Sequence, residues 1–294
     1  MLPFFERRGT LLADMTREDL QAFVAYLFGK GLKPKSIQGY MKPLQASCRR
    51  AYTDGLIARN PSIGIKLPMV VRGTAPSGAG VAASEGTAPS HTLEEVRQLL
   101  DYTASINWDR HALIFTAYYT GMRGEELLAL RWDDVLWEHR AIKVHRVRVR
   151  TAAGEVYERE GTKTSEGRLV PMEPKLMEVL TAERERQQRN AALLGIEAGE
   201  YVFAQNDGTP WRPGSRREPF KTVQRKAGLA NIISLHGTRH TFRSLMHEGG
   251  MAECDIGMIG GWKQDGVMNR VYLHLSGGWL RRLGEMVEGI LSKK

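Results

Sequence analysis

Apolar residues recur every three or four positions over most of the chain, which is the spacing of amphipathic helices. Near the N-terminus, Thr16 is a typical N-cap residue and precedes an apolar stripe that ends at Gly29. A second stripe begins near Ser36, and Pro43 inside it predicts a kink or a late start. The pattern therefore predicts two helices within the first 72 residues.

After residue 90 the helical pattern resumes, with one short interruption. Thr92 is typical of an N-cap, and residues 112–119 are nearly all apolar, which predicts a buried helix. Residues 142–149 alternate like a strand, but their apolar positions change phase, which indicates a bulge. A turn at 153–154 and a short strand at 169–172 follow, and the remainder is mainly helical. We therefore predict a mainly α (α+β) fold with a small antiparallel sheet.

Residues 73–90 differ from the rest of the chain in composition. The segment GTAPSGAGVAASEGTAPS has Gly, Ala, Ser, Thr and Pro, a single Glu and no aromatic residue. Such a segment buries too little apolar surface to order itself. We therefore expect a helical DNA-binding domain at 1–72, a flexible linker at 73–90 and a second domain at 91–294.

The charge of the chain favours a polyanionic partner, and double-stranded DNA is the partner we expect. The net charge is +9, and residues 1–70 have 11 Lys and Arg against 5 Asp and Glu. Basic residues surround the second apolar stripe, although a solvated basic face explains them equally well when they are taken alone. The candidate DNA-binding residues there are Lys33, Lys35, Lys42, Arg49 and Arg50.

Neither a membrane span nor a disulfide framework is predicted. Every apolar run is interrupted well before the roughly 20 residues that a bilayer requires. The two cysteines, Cys48 and Cys254, lie far apart in the sequence. Because no apolar run could span a bilayer, we expect no membrane partner. Two distant cysteines fit a reducing compartment, so we expect a cytoplasmic location.

Arg123 stands at the predicted start of a helix, where the helix dipole disfavours a cation. The placement is reasonable if an anion binds there, because helix N-termini favour anions. A pair with Glu126, three residues later, is the alternative explanation.

A second basic cluster lies in the run HGTRHTFR. On a helix, His236, Arg239, His240 and Arg243 share one face and repel one another unless an anion lies opposite. The spacing of the two histidines also suits zinc, but Gly237 stands where a metalloprotease needs Glu and no third ligand is evident. We therefore expect an anion site and no metal.

Together these motifs resemble the tyrosine recombinase (phage integrase) family. In chain order they are the opening SHTLEEV and the runs TGMRGEELLALRW, TKTSEGR, HGTRH, GGW and NRVYLHL. The resemblance extends from about residue 14 to residue 272, and the GLKPKSIQGY region looks like the core-binding helices of the family. It implies a set of six catalytic residues: Arg123, Lys163, His236, Arg239, Trp262 and Tyr272.

The resemblance also implies how these residues act. Tyr272 attacks the phosphodiester and forms a 3′-phosphotyrosyl link, while Arg123 and Arg239 stabilise the charge on the non-bridging oxygens. Lys163 acts as the general acid and His236 receives the tyrosine proton. The remaining member of the six, Trp262, is a hydrogen-bond donor. Two residues outside the set, Glu126 and His240, are expected to support it.

The same resemblance implies the partners. It predicts a homo-tetramer on two recombination sites, accessory DNA-bending or directionality factors, a nucleoid-associated location and no cofactor. The residues Trp279, Leu280, Leu283, Val287, Ile290 and Leu291 form a helical stripe. A short amphipathic helix has to dock somewhere, either on its own domain or, as in the family, on a neighbouring protomer.

Three features depart from the family pattern. Thr238 replaces the usual Leu and is expected to face away from the phosphate, and Trp262 and Tyr272 lie ten apart, one more than usual. The first core-binding helix and the arm-binding domain found in many integrases are expected to be absent before the opening run MLPFFERRG. Two other functions stay open: an accessory DNA-binding protein with impaired catalysis, which the extra residue favours, and an enzyme like a type IB topoisomerase.

Overall fold

The computed structural model describes residues 2–68, 89–106, 109–151, 153–161, 167–212, 217–262 and 277–292. The chain separates into two compact units, Met1–Thr87 and Ala88–Lys294. Three predicted features lie outside the described residues, namely Lys163, Tyr272 and nearly all of the linker at 73–90.

The first unit is helical and has its own small core. Its helices are α1 (Leu2–Glu6), α2 (Arg17–Gly29) and α3 (Pro34–Thr53). Thr16 caps α2 as predicted, because its hydroxyl accepts a hydrogen bond from the Asp19 amide at 3.2 Å. The core is made by the apolar faces of these helices and contains Phe5, Leu20, Phe23, Val24, Leu27, Ile37, Met41, Leu44 and Cys48.

Two details of this unit differ from the sequence prediction. Helix α3 begins at Pro34, where proline suits the first helical turn, and continues through Pro43 to Thr53. Helix α1 was not predicted, because five residues are too few to show a periodic pattern. It is held by aromatic packing, with the rings of Phe5 and Phe23 5.2 Å apart.

The helices described in the second unit are α4 (Leu93–Ser105), α5 (His111–Thr120), α6 (Gly124–Ala129), α7 (Pro174–Leu194), α8 (Arg217–Lys226), α9 (Leu235–Glu248), α10 (Glu253–Gly260) and α11 (Gly277–Leu291). Helix α5 lies at the centre and contacts α4, α6, α7, α9 and α11. Its residues from 112 to 120 are all buried, which explains its almost wholly apolar sequence.

The strands form two small antiparallel sheets. Strands β1 (Val135–Leu136), β2 (Ala141–Val144) and β5 (Arg168–Pro171) pair in the order β1-β2-β5, and β3 (Arg146–Arg150) pairs with β4 (Val156–Glu160). The mainly α fold with small antiparallel sheets is as predicted. The prediction of a bulge at residues 142–149 is wrong.

The chain instead leaves one sheet and enters another at His145, between β2 and β3. Ile142 and Val144 are buried in the core, whereas β3 packs against α6 and buries Val147. Since neighbouring side chains of a strand point to opposite faces, the change of sheet shifts the apolar phase just as a bulge would.

The C-terminal stripe packs on its own unit. Helix α11 contacts α5, α7, α9 and β5, and its buried residues are Leu280, Leu283, Val287, Ile290 and Leu291. Gly249 leaves the space that Ile290 occupies, and the Arg97 guanidinium donates to the Leu291 carbonyl at 3.3 Å. In the single chain the stripe is thus docked on its own unit, one of the two dockings that the sequence left open. Docking on a neighbouring protomer stays a prediction.

Within the described ranges, no helix combines the length and the apolar character that a membrane crossing requires.

Glu173, beneath α11, gives a pH-dependent prediction. Its carboxylate caps α7 by accepting from the Lys175 and Leu176 amides, each at 2.6 Å. Burial nevertheless raises its pKa from 4.5 to about 7, and the negative charge of Glu288 adds to this. Because the pKa of Glu173 is higher in the folded protein than in the unfolded chain, its protonated carboxyl stabilises the fold. This contribution to the free energy of unfolding is fully present below pH 4.5 and is lost as the pH rises through about 7.

We therefore expect Glu173→Gln to lose less stability than the wild type as the pH rises from about 5 to 8, by up to about 3 kcal/mol. Urea unfolding at a series of pH values measures this difference. Glu178→Gln, on the exposed side of the same helix, is the control and keeps the wild-type dependence. Parallel pH profiles for Glu173→Gln and the wild type would contradict the assignment.

Candidate active site

Arg123 lies immediately before α6 and contacts Glu126 as well as the end of α10. Its backbone amide and its Nη1 both donate to the Glu126 carboxylate at 2.8 Å, and its Nη2 donates to the Gly261 carbonyl at 2.9 Å. The pairing with Glu126 that the sequence left open is therefore formed. It holds the guanidinium in place and does not by itself exclude an anion.

Arg168, at the start of β5, shares the same carboxylate. Its Nη1 and Nη2 donate to the two oxygens of Glu126 at 3.0 and 2.7 Å. Burial alone would raise the pKa of Glu126, but Arg168 and then Arg123 outweigh it and lower the pKa to about 2. The sequence did not identify Arg168, whose only signal was its place at the end of the TKTSEGR motif.

Arg239 comes from the first half of α9 and points into the protein, where it is 3% exposed. Its Nη1 donates to the carbonyls of Gly121, at 2.7 Å, and Gly260. The guanidinium stacks on the Trp262 ring at 3.8 Å from the ring centre. Its Nη2 is buried and has no hydrogen-bond partner among the described residues.

These contacts leave an excess of positive charge. Arg123, Arg168 and Arg239 are close enough for their charges to interact, whereas Glu126, which binds the first two, is the carboxylate whose charge also reaches Arg239. Burial, followed by the charges of Arg123 and Arg168, lowers the pKa of Arg239 to about 9. A buried arginine with an open donor among like charges is an arrangement that an anion would stabilise.

The two histidines of α9 lie on the outer side of this cluster. The rings of His236 and His240 are 5.0 Å apart, and His236 is exposed. Although the residue as a whole is exposed, partial loss of solvation at the ring, followed by the charge of Arg239, lowers the pKa of His236. The ring is therefore mainly neutral at pH 7 and can accept a proton. Partial burial and the charge of His236 also lower the pKa of His240.

Thr238 is buried, and its hydroxyl donates to the Leu235 carbonyl at 2.7 Å. Its orientation away from the phosphate stays a prediction. Among the described residues, no group of three or more His, Cys, Asp or Glu side chains is placed so that it could hold a metal ion.

The structure thus brings together Arg123, Glu126, Arg239 and Trp262, with His236 and His240 beside them. Arg243 is exposed, pairs with Glu253 at 3.1 Å and lies 5.7 Å from the Trp262 ring centre. The predicted DNA-binding residues of the first unit are all exposed along or next to α3, namely Lys33, Lys35, Lys42, Arg49 and Arg50.

The chain resembles known proteins in sequence and in fold. Residues 90–277, more than half of the chain, match the model of the phage integrase family, and residues 2–66 match that of the phage integrase SAM-like domain. A XerC-like tyrosine recombinase of Caldanaerobacter subterraneus subsp. tengcongensis is 24% identical over 284 residues, covering 92% of this chain and 70% of that protein. XerD of Pseudomonas aeruginosa is 25% identical over 298 residues, covering 92% and 90%.

Solved structures share the fold. The Tn1549 transposon integrase in complex with transposon right end DNA has a TM-score of 0.68 at 19% identity, covering 94% of this chain and 86% of that one. A lambda integrase tetramer bound to a Holliday junction has a TM-score of 0.63 at 17% identity, covering 95% and 70%. From the family match and this shared fold, the chain belongs to the phage integrase family of tyrosine recombinases.

Proposed function

We propose that this chain, a site-specific DNA recombinase, cuts and rejoins DNA through a 3′-phosphotyrosyl intermediate formed by Tyr272. The tyrosine oxygen bonds to phosphorus, the bond from phosphorus to the 5′-oxygen breaks, and the 5′-hydroxyl leaves with a proton. Because one phosphoester replaces another, the step requires no ATP. We propose that arginine side chains, and not a metal ion, stabilise the charge on the phosphate. Rejoining is the same exchange in reverse.

The observation that carries this proposal is the buried Arg239 with its open Nη2 beside Arg123. Guanidinium groups bind phosphate oxygens in a fixed, fork-like geometry and stay charged at neutral pH. Both are held by protein carbonyls before any phosphate arrives. Such preorganised donors stabilise the charge that develops in the transition state.

The proton transfers are assigned to two other residues. His236, whose lowered pKa leaves the ring mainly neutral at pH 7, accepts the proton of the tyrosine. Lys163 donates a proton to the leaving 5′-oxygen. Trp262 has only an N–H donor, so it supports Arg239 by stacking and binds a phosphate oxygen without moving protons.

The role of Lys163 predicts a selective rescue. The Lys163→Ala variant is expected to cleave ordinary DNA slowly. It is expected to cleave a substrate with a 5′-thiolate leaving group at nearly the wild-type rate, because a thiolate needs no general acid. Single-turnover cleavage of both substrates measures this. Equal defects on the two substrates would remove Lys163 from the acid role.

DNA is the substrate, and we propose that the active assembly is a homo-tetramer that joins two recombination sites. The lambda integrase tetramer on a Holliday junction supports this arrangement. The basic residues on α3 and Arg243 are proposed to contact the duplex backbone. We further propose that accessory DNA-bending or directionality factors take part in the reaction. The protein is proposed to act at the nucleoid in the cytoplasm.

A genomic map of covalently attached protein tests the function and finds the target. A tagged wild-type chain is expected to give a few discrete sites of attachment in cells, and Tyr272→Phe none. Non-covalent binding at discrete sites without any adduct would favour the accessory protein. Adducts spread over the genome, with relaxation of plasmids that lack a site, would favour the topoisomerase.

A further inference from the structure

Three successive backbone carbonyls at the end of α10 are each bound by a different arginine. The Ile259 carbonyl accepts from Arg168 Nε at 2.8 Å. The next carbonyl, of Gly260, accepts from Arg239, and that of Gly261 accepts from Arg123. We call residues 259–261 the carbonyl turn, and it is followed directly by Trp262, on which Arg239 stacks.

The carbonyl turn fits Arg168 closely. Gly261 has a positive φ of 67°, and a Cβ at this position would lie 3.0 Å from the Arg168 Cζ. Glycine is therefore favoured at position 261 for two reasons: it adopts the left-handed backbone conformation, and it lets the Arg168 guanidinium approach closely. A different side chain at either position would displace the turn that orients Arg123 and Arg239.

Arg168 is also the second partner of Glu126, whose side chain has no exposed surface. The carboxylate is held by four hydrogen bonds, two from Arg123 and two from Arg168. Without Arg168, half of these bonds are lost in a buried place, where an incompletely paired carboxylate is costly. Arg123 would then be held by a carboxylate free to turn.

From these contacts we infer that Arg168 is a positioning residue for the cleavage reaction: it fixes Glu126 and the carbonyl turn, and through them the guanidinium groups of Arg123 and Arg239. The Arg168 side chain is only 13% exposed, and Nε, Nη1 and Nη2 each donate to a protein oxygen. It therefore acts through its neighbours and not by binding the phosphate. The inference rests on the proposed function of the site.

Arg168→Gln tests it on a nicked duplex that carries a site found by the genomic map. We expect the single-turnover rate of adduct formation to fall on the order of 10- to 100-fold, the cost of misplaced catalytic groups, with DNA affinity unchanged. Arg186→Gln is the matched control, because Arg186 makes a similar two-bond pair with Glu183 on α7. It keeps the wild-type rate.

A double-mutant cycle separates positioning from general stability. If Arg168 acts largely through Glu126, the double variant with Glu126→Gln is no slower than the slower single variant. If Arg168→Gln does not fold, Arg168→Lys replaces it; lysine keeps the charge, cannot span Glu126 and Ile259 together, and is expected to be similarly slow.

Three outcomes would overturn the inference: a wild-type rate in the folded variant, a loss of DNA affinity equal to the loss of rate, or defects that simply multiply in the double variant. Each presupposes that the wild type forms the adduct. Failure of the wild type to form it would contradict the proposed function itself, and the two results are thus distinguishable.

Discussion

Replacing Arg239 by alanine lowers the rate of DNA cleavage by about a hundredfold or more, the usual cost of removing one preorganised charge-stabilising donor. Arg239 is bound to Gly121 and Gly260 through Nη1, and its buried Nη2 has no partner among the described residues, so the proposal assigns Nη2 to the phosphate. Arg239→Lys is expected to be nearly as slow, because one ammonium cannot hold both carbonyls and a phosphate oxygen in a fixed plane. Single-turnover adduct formation measures both variants.

Arg189→Ala is the control for this experiment, since Arg189 is an exposed arginine of α7 that pairs with Glu185 at 3.6 Å. It cleaves at the wild-type rate. DNA affinity should stay close to wild type in all three variants. If Arg239→Ala cleaved within about threefold of the wild type, well below the effect of a lost charge-stabilising donor, its assigned role would be wrong.

Leu283→Ala lowers the free energy of unfolding by about 2–5 kcal/mol, the range for a leucine that leaves a cavity in a core. Leu283 is fully buried in the core of the second unit, although it belongs to the last helix of the chain. Denaturant unfolding of the full chain, monitored by a signal from the second unit, measures the loss.

Leu193→Ala is the matched control, because Leu193 is also helical but 84% exposed. Its free energy of unfolding is expected to change by no more than about 0.5 kcal/mol. If Leu283→Ala were equally mild, α11 would not be docked on its own unit in the isolated protein. Docking on a neighbouring protomer would then be the better description.

The mainly helical fold follows from the sequence because long amphipathic stripes are easy to recognise. The apolar run in α5 and the cap at Thr16 are direct consequences of burial and of hydrogen bonding at a helix end. The strand change at His145 was not predictable, since a change of sheet and a bulge leave the same phase shift. The short helix α1 depends on aromatic contacts with α2, which no local pattern reveals.

The predicted site depended on a set of motifs, and the structure adds what holds it together. Arg123, Arg239 and Trp262 were expected to belong together, and their contacts at the carbonyl turn give the physical reason. Arg168 was missed because its contacts are with residues far away in the sequence. It links β5 to Glu126 and to the end of α10. Single residues of this kind have no signature in sequence spacing.

Covalent capture on a nicked substrate tests the central claim most directly. When the strand end beside the cleaved phosphate diffuses away, rejoining is blocked and the adduct accumulates. Wild-type protein is expected to give a denaturant-resistant adduct whose DNA maps to the peptide containing Tyr272, and Tyr272→Phe is expected to bind the same DNA without any adduct. An adduct of undiminished yield in Tyr272→Phe, or attachment at another residue, would contradict the account.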